Sequence, residues 1–267
     1  MENAARADSA ETVTALKAHS SLAQEVKPLH PGDAPCLNCA AKAAASCDPL
    51  FNEFGHHLRR HQVRFTPIHR TVRPRRNIYV AGESSESAFV ICSGWACRMM
   101  RLPEGRRQIL SFLLPGDQFS ATAPFRQTLD FHVEAITKVH YAAINSGRIK
   151  AMLANDSLAL ECFVTGCIAE STTANQTLAD LGQRSADEKI AVLILRLMER
   201  LGERGLVQEQ AFQFPLRQQH IADAVGLTTV HVSRIMGMFR KSGVFQLHQA
   251  ILKVLNLSEL RRIASMR

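Results

Sequence analysis

Residues 216–241 constrain the fold of this chain more than any other part of the sequence. Small or apolar residues stand where two short helices that cross at a tight turn need them, at Ile221, Ala222, Val225, Gly226, Leu227, Val232 and Ile235. Ala222 is small at the crossing point, and Gly226 can adopt the positive φ of the turn. An ordinary αα-hairpin is the alternative, but it does not require all of these residues together. The pattern therefore predicts a helix-turn-helix unit that binds DNA.

The second of these helices is expected to begin after Thr228, a good N-cap residue, so that its first turn meets the base edges. Arg234 is the best candidate for a bidentate contact to guanine, with a phosphate contact as its alternative. His231 and Ser233 suit either bases or phosphates. Val230 can make only an apolar contact, for example with a thymine methyl. The predicted recognition face thus has one strong base reader and three weaker contacts.

Residues that flank this face are candidates for contacts to the DNA backbone. They stand at the start of the first helix and at the end of the second: Arg217, Gln219, Arg240 and Lys241. After Gly243, apolar residues alternate over 244–247 and 251–255, which predicts a β-hairpin wing. A net charge of +8 favours a polyanionic partner without identifying it.

The amino-terminal half has short apolar runs of period two between about residues 63 and 144. The runs at 88–92 and 108–113 are examples, and turns that contain Gly or Pro separate them. Several short strands at such spacing predict a small antiparallel sandwich or barrel.

From about residue 155 the apolar period lengthens to that of a helix. A heptad seam of small and apolar residues runs along it, at Leu160, Val164, Cys167, Ser171, Ala174, Leu178 and Leu181. Such a seam suits a helix that packs on its own copy across a two-fold axis. By spacing alone, a helix that lies on the core of its own domain is an equal alternative. Another amphipathic helix is predicted over 186–201.

The chain divides into five predicted parts. They are a mobile tail at 1–35, a cysteine-containing segment at 36–62, the β-rich domain at 63–150, the long helix at 155–183 and the DNA-binding domain at 184–267. Residues 1–35 lack the apolar region of a signal peptide, and no apolar run approaches the ~20 residues that span a bilayer. We therefore expect a cytoplasmic protein without a membrane partner, whose seven cysteines do not form a disulfide framework.

The order of these parts resembles the CRP/FNR superfamily, that of the cyclic-AMP receptor protein and the fumarate-and-nitrate-reduction regulator, and within it the FNR/FixK-like branch. Four segments carry the resemblance, at 93–96, 105–109, 114–117 and 221–234. The resemblance implies an α+β fold: an N-terminal antiparallel β-roll (a cyclic-nucleotide-binding-like jelly roll), a long dimerisation helix and a C-terminal winged helix-turn-helix. It also implies a homodimeric transcription regulator on a two-fold-symmetric operator, and contact with RNA polymerase. The seam then becomes the expected dimer interface.

The nucleotide-binding members resemble one another in a cassette with Gly-Glu and, further on, an Arg, since a cyclic phosphate needs backbone amides and a guanidinium. Here residues 118–124 read Gln-Phe-Ser-Ala-Thr-Ala-Pro, and residues 131–135 read Phe-His-Val-Glu-Ala. Neither the Gly-Glu pair nor the Arg is present. We therefore expect no control by cyclic nucleotide.

Cys36, Cys39 and Cys47 form a C-x2-C-x7-C pattern similar to the amino-terminal cluster of the oxygen-sensing branch. That resemblance implies a [4Fe–4S] cluster, which favours four thiolates. The family's fourth ligand falls on Ala142, which cannot ligate. Cys97 is the substitute chosen here, with Cys92 or His140 as alternatives. A thiol redox switch, or three cysteines without a sensing role, stays open beside the cluster.

Other functions have weaker support in the sequence. The chain carries no P-loop, G-x-G-x-x-G, G-x-S-x-G or H-E-x-x-H, so we expect no enzyme. A basic protein-interaction module that does not read DNA sequence is the alternative from another class. The arginine run at 59–76 is expected to be a solvated face, while Cys162 and Cys167 are expected to pack as small apolar residues.

Overall fold

The computed structural model of the chain describes residues 68–119, 125–126 and 128–265. The predicted tail at 1–35 and the segment at 36–62 lie outside the described residues, as does the start of the predicted β-rich domain. Three of the four predicted cluster ligands, Cys36, Cys39 and Cys47, lie outside them as well.

In the described part of the amino-terminal domain there are two four-stranded antiparallel sheets, as the strand spacing predicted. The strands are β1 (Ile68–Val72), β2 (Asn77–Tyr79), β3 (Ser87–Ser93), β4 (Ala96–Arg101), β5 (Arg107–Leu113), β6 (Gln118–Phe119), β7 (His132–Ala135) and β8 (Val139–Asn145). Their order is β1-β8-β3-β6 in one sheet and β2-β7-β4-β5 in the other. In the core of the β-roll, Phe89 of β3 stacks on its cross-strand neighbour Phe119 of β6 with 5.0 Å between ring centroids. This arrangement is a β-roll.

The predicted turn at Gly94 shows why glycine is required there. Its φ is +86°, and a Cβ at this position would lie 2.2 Å from the carbonyl oxygen of Lys138. The turn joins β3 to β4 and so passes the chain from one sheet to the other. A side chain would force these two segments apart.

Two helices follow the β-roll, α1 (Ser146–Asn155) and α2 (Ser157–Gln183). The Asp156 side chain caps α2 by accepting hydrogen bonds from the N–H groups of Leu158 and Ala159, both at 3.0 Å. The long helix predicted from residue 155 therefore begins at Ser157. Ala159 is its single buried residue. Within the described residues no single helix is long and apolar enough to span a membrane, and α1 and α2 pass that test only as a pair bent by 117°.

The carboxy-terminal domain contains four helices and a small sheet. These are α3 (Ala186–Gly202), β9 (Ala211–Gln213), α4 (Gln218–Val225), α5 (Thr229–Lys241), β10 (Phe245–His248), β11 (Ile251–Val254) and α6 (Leu257–Ser265). Ser185 and Glu188 form a capping box that starts α3. The predicted wing is the hairpin β10–β11, and β9 adds a third strand that the sequence pattern did not predict.

One apolar cluster joins the two domains. It includes Trp95, Met99 and Phe112 of the β-roll together with Ile221 and Phe239 of the carboxy-terminal domain. Polar contacts border this cluster, and Asp117 accepts hydrogen bonds from the guanidinium groups of Arg200 on α3 and of Arg204, which follows the end of that helix. The β-roll and the carboxy-terminal domain of one chain are therefore packed against each other.

Candidate DNA-binding interface

Helices α4 and α5 form the predicted helix-turn-helix. Helix α4 ends at Gly226, which has φ +68° and ψ +38°, and the N–H of Leu227 donates to the carbonyl of Ala222 at 3.1 Å. Thr228 then caps α5, because its Oγ1 accepts from the N–H of His231 at 3.2 Å. The structure confirms the positive φ of Gly226 and the N-cap role of Thr228.

Burial separates the two faces of α5. Val232, Ile235, Met236 and Phe239 are buried against the domain core, as predicted. On the opposite face the side chain of Val230 is 78% exposed. The face of α5 opposite the buried stripe is therefore open to a ligand, and it carries polar residues together with Val230.

None of the nine predicted DNA contacts is buried. Seven are exposed, and His231 and Ser233 are half-buried: the exposed ones are Arg217, Gln219, Thr228, Val230, Arg234, Arg240 and Lys241. An open groove runs beside α5 and is lined by Gln218, Thr229, Val230, Ser233, Arg234, Gly237, Met238, Lys241 and Ser242. Gln218, Thr229, Met238 and Ser242 are additions that the sequence analysis missed. Gln218, Thr229 and Ser242 are direct chain neighbours of predicted contacts, and Met238 lies one turn after Arg234, which was the available signal.

Arg234 has a hydrogen-bond partner on its own helix. Its Nη2 lies 3.0 Å from Nε2 of His231. Arginine has no acceptor, so Nε2 of His231 accepts and the imidazole proton is on Nδ1. Within the described part of the chain, Arg234 forms no ion pair with a carboxylate. Arg234 is exposed and is one of the residues that line the groove.

The start of α4 is organised by a neutral histidine. The N–H of Arg217 donates to Nδ1 of His220 at 3.2 Å. Burial, and then the charge of Arg107, lower the pKa of His220, which favours the neutral ring that can accept this bond. Gln219 donates from Nε2 to Asp223 at 2.5 Å. Arg217 and Gln219 therefore sit at an ordered helix start, where phosphate contacts are expected.

The end of α5 carries positive charge. Arg240 and Lys241 stand in its last turn and are exposed. Cations there complement the partial negative charge of the helix terminus. The guanidinium group of Arg240 and the ammonium group of Lys241 are therefore available to phosphates.

The predicted seam on α2 is not part of the core of its own chain. Leu160, Val164 and Leu178 are 43%, 46% and 71% exposed, respectively. Ser171 and Ala174 are also exposed, while Cys167 and Leu181 are half-buried. A helix with one apolar stripe open to solvent is expected to bury that stripe against another protein surface.

Cys97 does not fit the predicted role of fourth cluster ligand. Its side chain is 1% exposed and belongs to the apolar cluster between the two domains. Burial, with a smaller contribution from Glu134, raises the pKa of Cys97 to about 12. A thiol that resists ionisation is a poor ligand, because iron binds the thiolate. The described residues contain no group of three or more His, Cys, Asp or Glu that could hold a metal ion.

The two alternatives to Cys97 lie in the β-roll. Cys92 is buried in β3, and Nδ1 of His140 in β8 lies 2.8 Å from Oγ1 of Thr71. Burial lowers the pKa of His140. Cys36, Cys39 and Cys47 lie outside the described residues, so the cluster itself stays a prediction, as does the absence of cyclic-nucleotide control.

Two family models match the chain. The Crp-like helix-turn-helix domain matches residues 188–263, and the cyclic nucleotide-binding domain matches residues 69–156. These ranges coincide with the carboxy-terminal domain and with the β-roll followed by α1.

Curated relatives and solved structures agree with these matches. The nitrogen fixation regulation protein FixK of Rhizobium meliloti (strain 1021) is 32% identical over 181 residues, which cover 67% of this chain and 79% of that protein. The anaerobic regulatory protein of Aggregatibacter actinomycetemcomitans is 24% identical over 183 residues, or 68% of this chain and 71% of that protein. The structure of FixK2 from Bradyrhizobium japonicum superposes with a TM-score of 0.69 at 22% identity, covering 76% of this chain and 99% of that one.

Proposed function

The chain belongs to the CRP/FNR family of DNA-binding transcription regulators, which are not enzymes, and we propose that it acts as a homodimer on a two-fold-symmetric operator. Each subunit places α5 in the major groove, and the two half-sites lie about one helical turn apart. The observation that carries this proposal is the solvent-open face of α5. It stays open although the domain is packed on the β-roll.

The exposed stripe of α2 supports the homodimer. Pairing two copies of α2 across a two-fold axis buries the parts of Leu160, Val164 and Leu178 that are exposed in the single chain. The small residues Ser171 and Ala174 lie on the same stripe and allow the two helices to approach closely. A two-fold dimer in turn matches a two-fold operator.

We extend the proposal to the signal, which is oxygen or redox state sensed by Cys36, Cys39 and Cys47. Their spacing supports this extension, and one relative is named an anaerobic regulatory protein. Because Cys97 does not fit as a ligand, a [4Fe–4S] cluster needs another fourth donor, and a thiol switch at these three cysteines is its alternative. A regulator without a small-molecule effector is the third form. In none of these forms does cyclic nucleotide control the protein.

The proposal also places the protein in the cytoplasm, where it reaches the chromosome, and in contact with RNA polymerase at its promoters. Family membership supports both statements. The contrasting function is a basic interaction module whose helix-turn-helix only packs.

Salt dependence of DNA binding separates these two functions. A duplex selected by the native protein from a randomised library serves as the operator probe. Specific binding through Z phosphates gives a log–log slope near −0.9Z, about −6 or steeper for a dimer. Footprinting should then show two symmetric half-sites. A shallow slope without sequence preference, or protection of a single half-site by a monomer, would overturn the proposal.

Arg234→Ala tests the reading face, with Arg261→Ala on α6 as the control that removes the same charge from another exposed position. The first variant should lose about 1–3 kcal/mol on the operator and relax preference at one base pair. The control should keep the preference. Equal loss on all sequences would make Arg234 a phosphate contact.

A separate experiment tests whether oxygen or redox state controls DNA binding. The protein is purified without oxygen, and iron, acid-labile sulfide, the absorbance spectrum and operator binding are measured before and after air is admitted. About four irons and four sulfides per chain that are lost in air, together with DNA binding, support the cluster. Metal-free protein that loses binding in air and regains it with a thiol reductant supports the switch. Equal binding in both states removes the redox proposal.

A further inference from the structure

The hydrogen bond between Arg234 and His231 gives the recognition helix an internal support. The two residues are one helical turn apart, so their side chains lie on the same face. His231 is half-buried, and its backbone N–H is held by the Thr228 cap at 3.2 Å. The imidazole therefore starts from an ordered first turn, whereas Arg234 itself is exposed and has several rotatable bonds.

Donor geometry leaves Arg234 able to read a base while it holds His231. The guanidinium has five N–H donors, and the contact at 3.0 Å to Nε2 of His231 uses one of them. A bidentate contact to O6 and N7 of guanine needs two parallel donors. The histidine contact thus restrains the side chain without consuming the fork that recognises guanine.

Arg234 has an imidazole and not a carboxylate as its partner, and this suits a groove that binds a polyanion. Other arginines of this chain are held by carboxylates, such as Arg107 by Asp223 and Arg262 by Glu259. A carboxylate beside Arg234 would neutralise its charge and repel the approaching phosphates. An imidazole that accepts through Nε2 orients the guanidinium and leaves its full positive charge facing the DNA.

Val230, on the same face, restricts the kind of base that it can contact. Val230 is four residues before Arg234, so both side chains lie on one stripe of α5. Its side chain is 78% exposed and has no polar atom. In the major groove, the apolar group that such a side chain can cover is the 5-methyl of thymine.

We propose that His231 is a positioning residue for Arg234, which orients the guanidinium for the guanine contact that the sequence predicts, beside the predicted contact of Val230 with a thymine methyl. This inference rests on the proposed function, since it presupposes that α5 reads an operator. It assigns His231 to the orientation of another side chain and not to a phosphate.

The test uses the half-site duplex selected from a randomised library by the full-length native protein. In one matched duplex the contacted guanine is replaced by 7-deazaguanine, which lacks the N7 acceptor, and in another the thymine is replaced by deoxyuridine. The proteins compared are native, Arg234→Ala, His231→Leu and His231→Gln. His231→Leu removes the acceptor at similar bulk, while His231→Gln supplies an amide oxygen in its place.

Native protein should prefer guanine over 7-deazaguanine by about tenfold, the scale of one base-specific contact. Arg234→Ala should abolish that preference, His231→Leu should reduce it to below about threefold, and His231→Gln should restore most of it. Val230→Ala should remove the preference for thymine over deoxyuridine. Affinity for a non-specific duplex is measured in parallel. Far-UV circular dichroism and denaturant unfolding like those of the native protein show that each variant is folded, and the control Arg261→Ala on α6 should keep both the native guanine preference and the native affinity for the non-specific duplex.

Two outcomes overturn the inference while the proposed function stands. In one, His231→Leu keeps the full guanine preference. In the other, it weakens binding to all duplexes equally, as a phosphate contact would. If the native protein selects no half-site at all, the proposed function itself fails, and the two failures are thus distinguishable.

Discussion

Arg107 on β5 forms an ion pair with Asp223 on α4, which ties the β-roll to the first helix of the helix-turn-helix. Each residue of this ion pair has a further polar partner. Arg107 also faces Glu134 at 3.8 Å, and Asp223 accepts from Gln219, a predicted phosphate contact. Next to it, Gln108 donates from Nε2 to the carbonyl of Ala224 at 3.1 Å. A change in the β-roll therefore has a short physical route to the DNA-binding residues.

Asp223→Ala should destabilise the protein. The side chains of Arg107 and Asp223 are 27% and 9% exposed, so loss of the carboxylate leaves a poorly solvated guanidinium. After allowance for residual solvent screening, we expect a loss of about 1–2 kcal/mol in the free energy of unfolding, measured by urea denaturation. The matched control is Glu259→Ala, which breaks the exposed pair with Arg262 and should change stability little. Equal effects of the two variants would show that the interdomain pair has no special role.

The helix-turn-helix could be predicted from the sequence because its determinants are local. Gly226, Thr228 and the buried stripe of α5 all lie within 25 residues, and helical period and capping act over that distance. Strand β9 was missed because three residues give too short a pattern, and its pairing partner β11 is far along the chain.

The burial of Cys97 could not be predicted, for a long-range reason. Strand β4 is covered on both faces: Ala96 faces the core of the β-roll, and Cys97 faces the cluster that includes the carboxy-terminal domain. A strand buried on both faces loses the polar alternation that marks a solvent side. The cover on the second face comes from helices about a hundred residues later, which local patterns do not reveal.

Leu178→Glu should convert the protein to a monomer. A carboxylate in the paired seam of α2 would have to be buried without a partner, whereas Leu178 is 71% exposed in the single chain, so the subunit fold should persist. Sedimentation equilibrium measures the change, and operator affinity should fall with it. Gln176→Glu puts the same residue on the opposite, exposed face of α2 and should stay dimeric. A dimeric Leu178→Glu protein would place the interface elsewhere.

Two glycine substitutions should have opposite effects on stability. Gly226 has φ +68°, which an L residue adopts with strain, so Gly226→Ala should lower the free energy of unfolding by about 1–2 kcal/mol. Gly237 lies inside α5 with open space around an added Cβ, and Gly237→Ala should raise it by up to about 1 kcal/mol. Both are read from denaturant curves of the full chain. If Gly226→Ala were neutral, the tight turn would not need its left-handed backbone.

The Cys97 thiol should be inert in the folded protein. It is 1% exposed and its pKa is raised to about 12, so iodoacetamide should modify it only after unfolding, while the half-buried Cys162, which lies off the seam of α2, reacts sooner. The raised pKa also predicts a pH effect. Between the ordinary value of 9.0 and about 12, the unfolded state loses this proton and the folded state keeps it, so stability falls as pH rises through that window.

Comparison with Cys97→Ala isolates this effect from the other groups that titrate at high pH. The native protein should lose stability more steeply above pH 9 than the variant does, although the variant is less stable at neutral pH because it lacks a buried sulfur. Peptide mapping after timed alkylation gives the reactivity of each cysteine. Fast modification of Cys97 in the folded state, with parallel pH profiles of the two proteins, would mean that the interface between the domains opens. Cys97 would then again be available as a fourth ligand for the three amino-terminal cysteines.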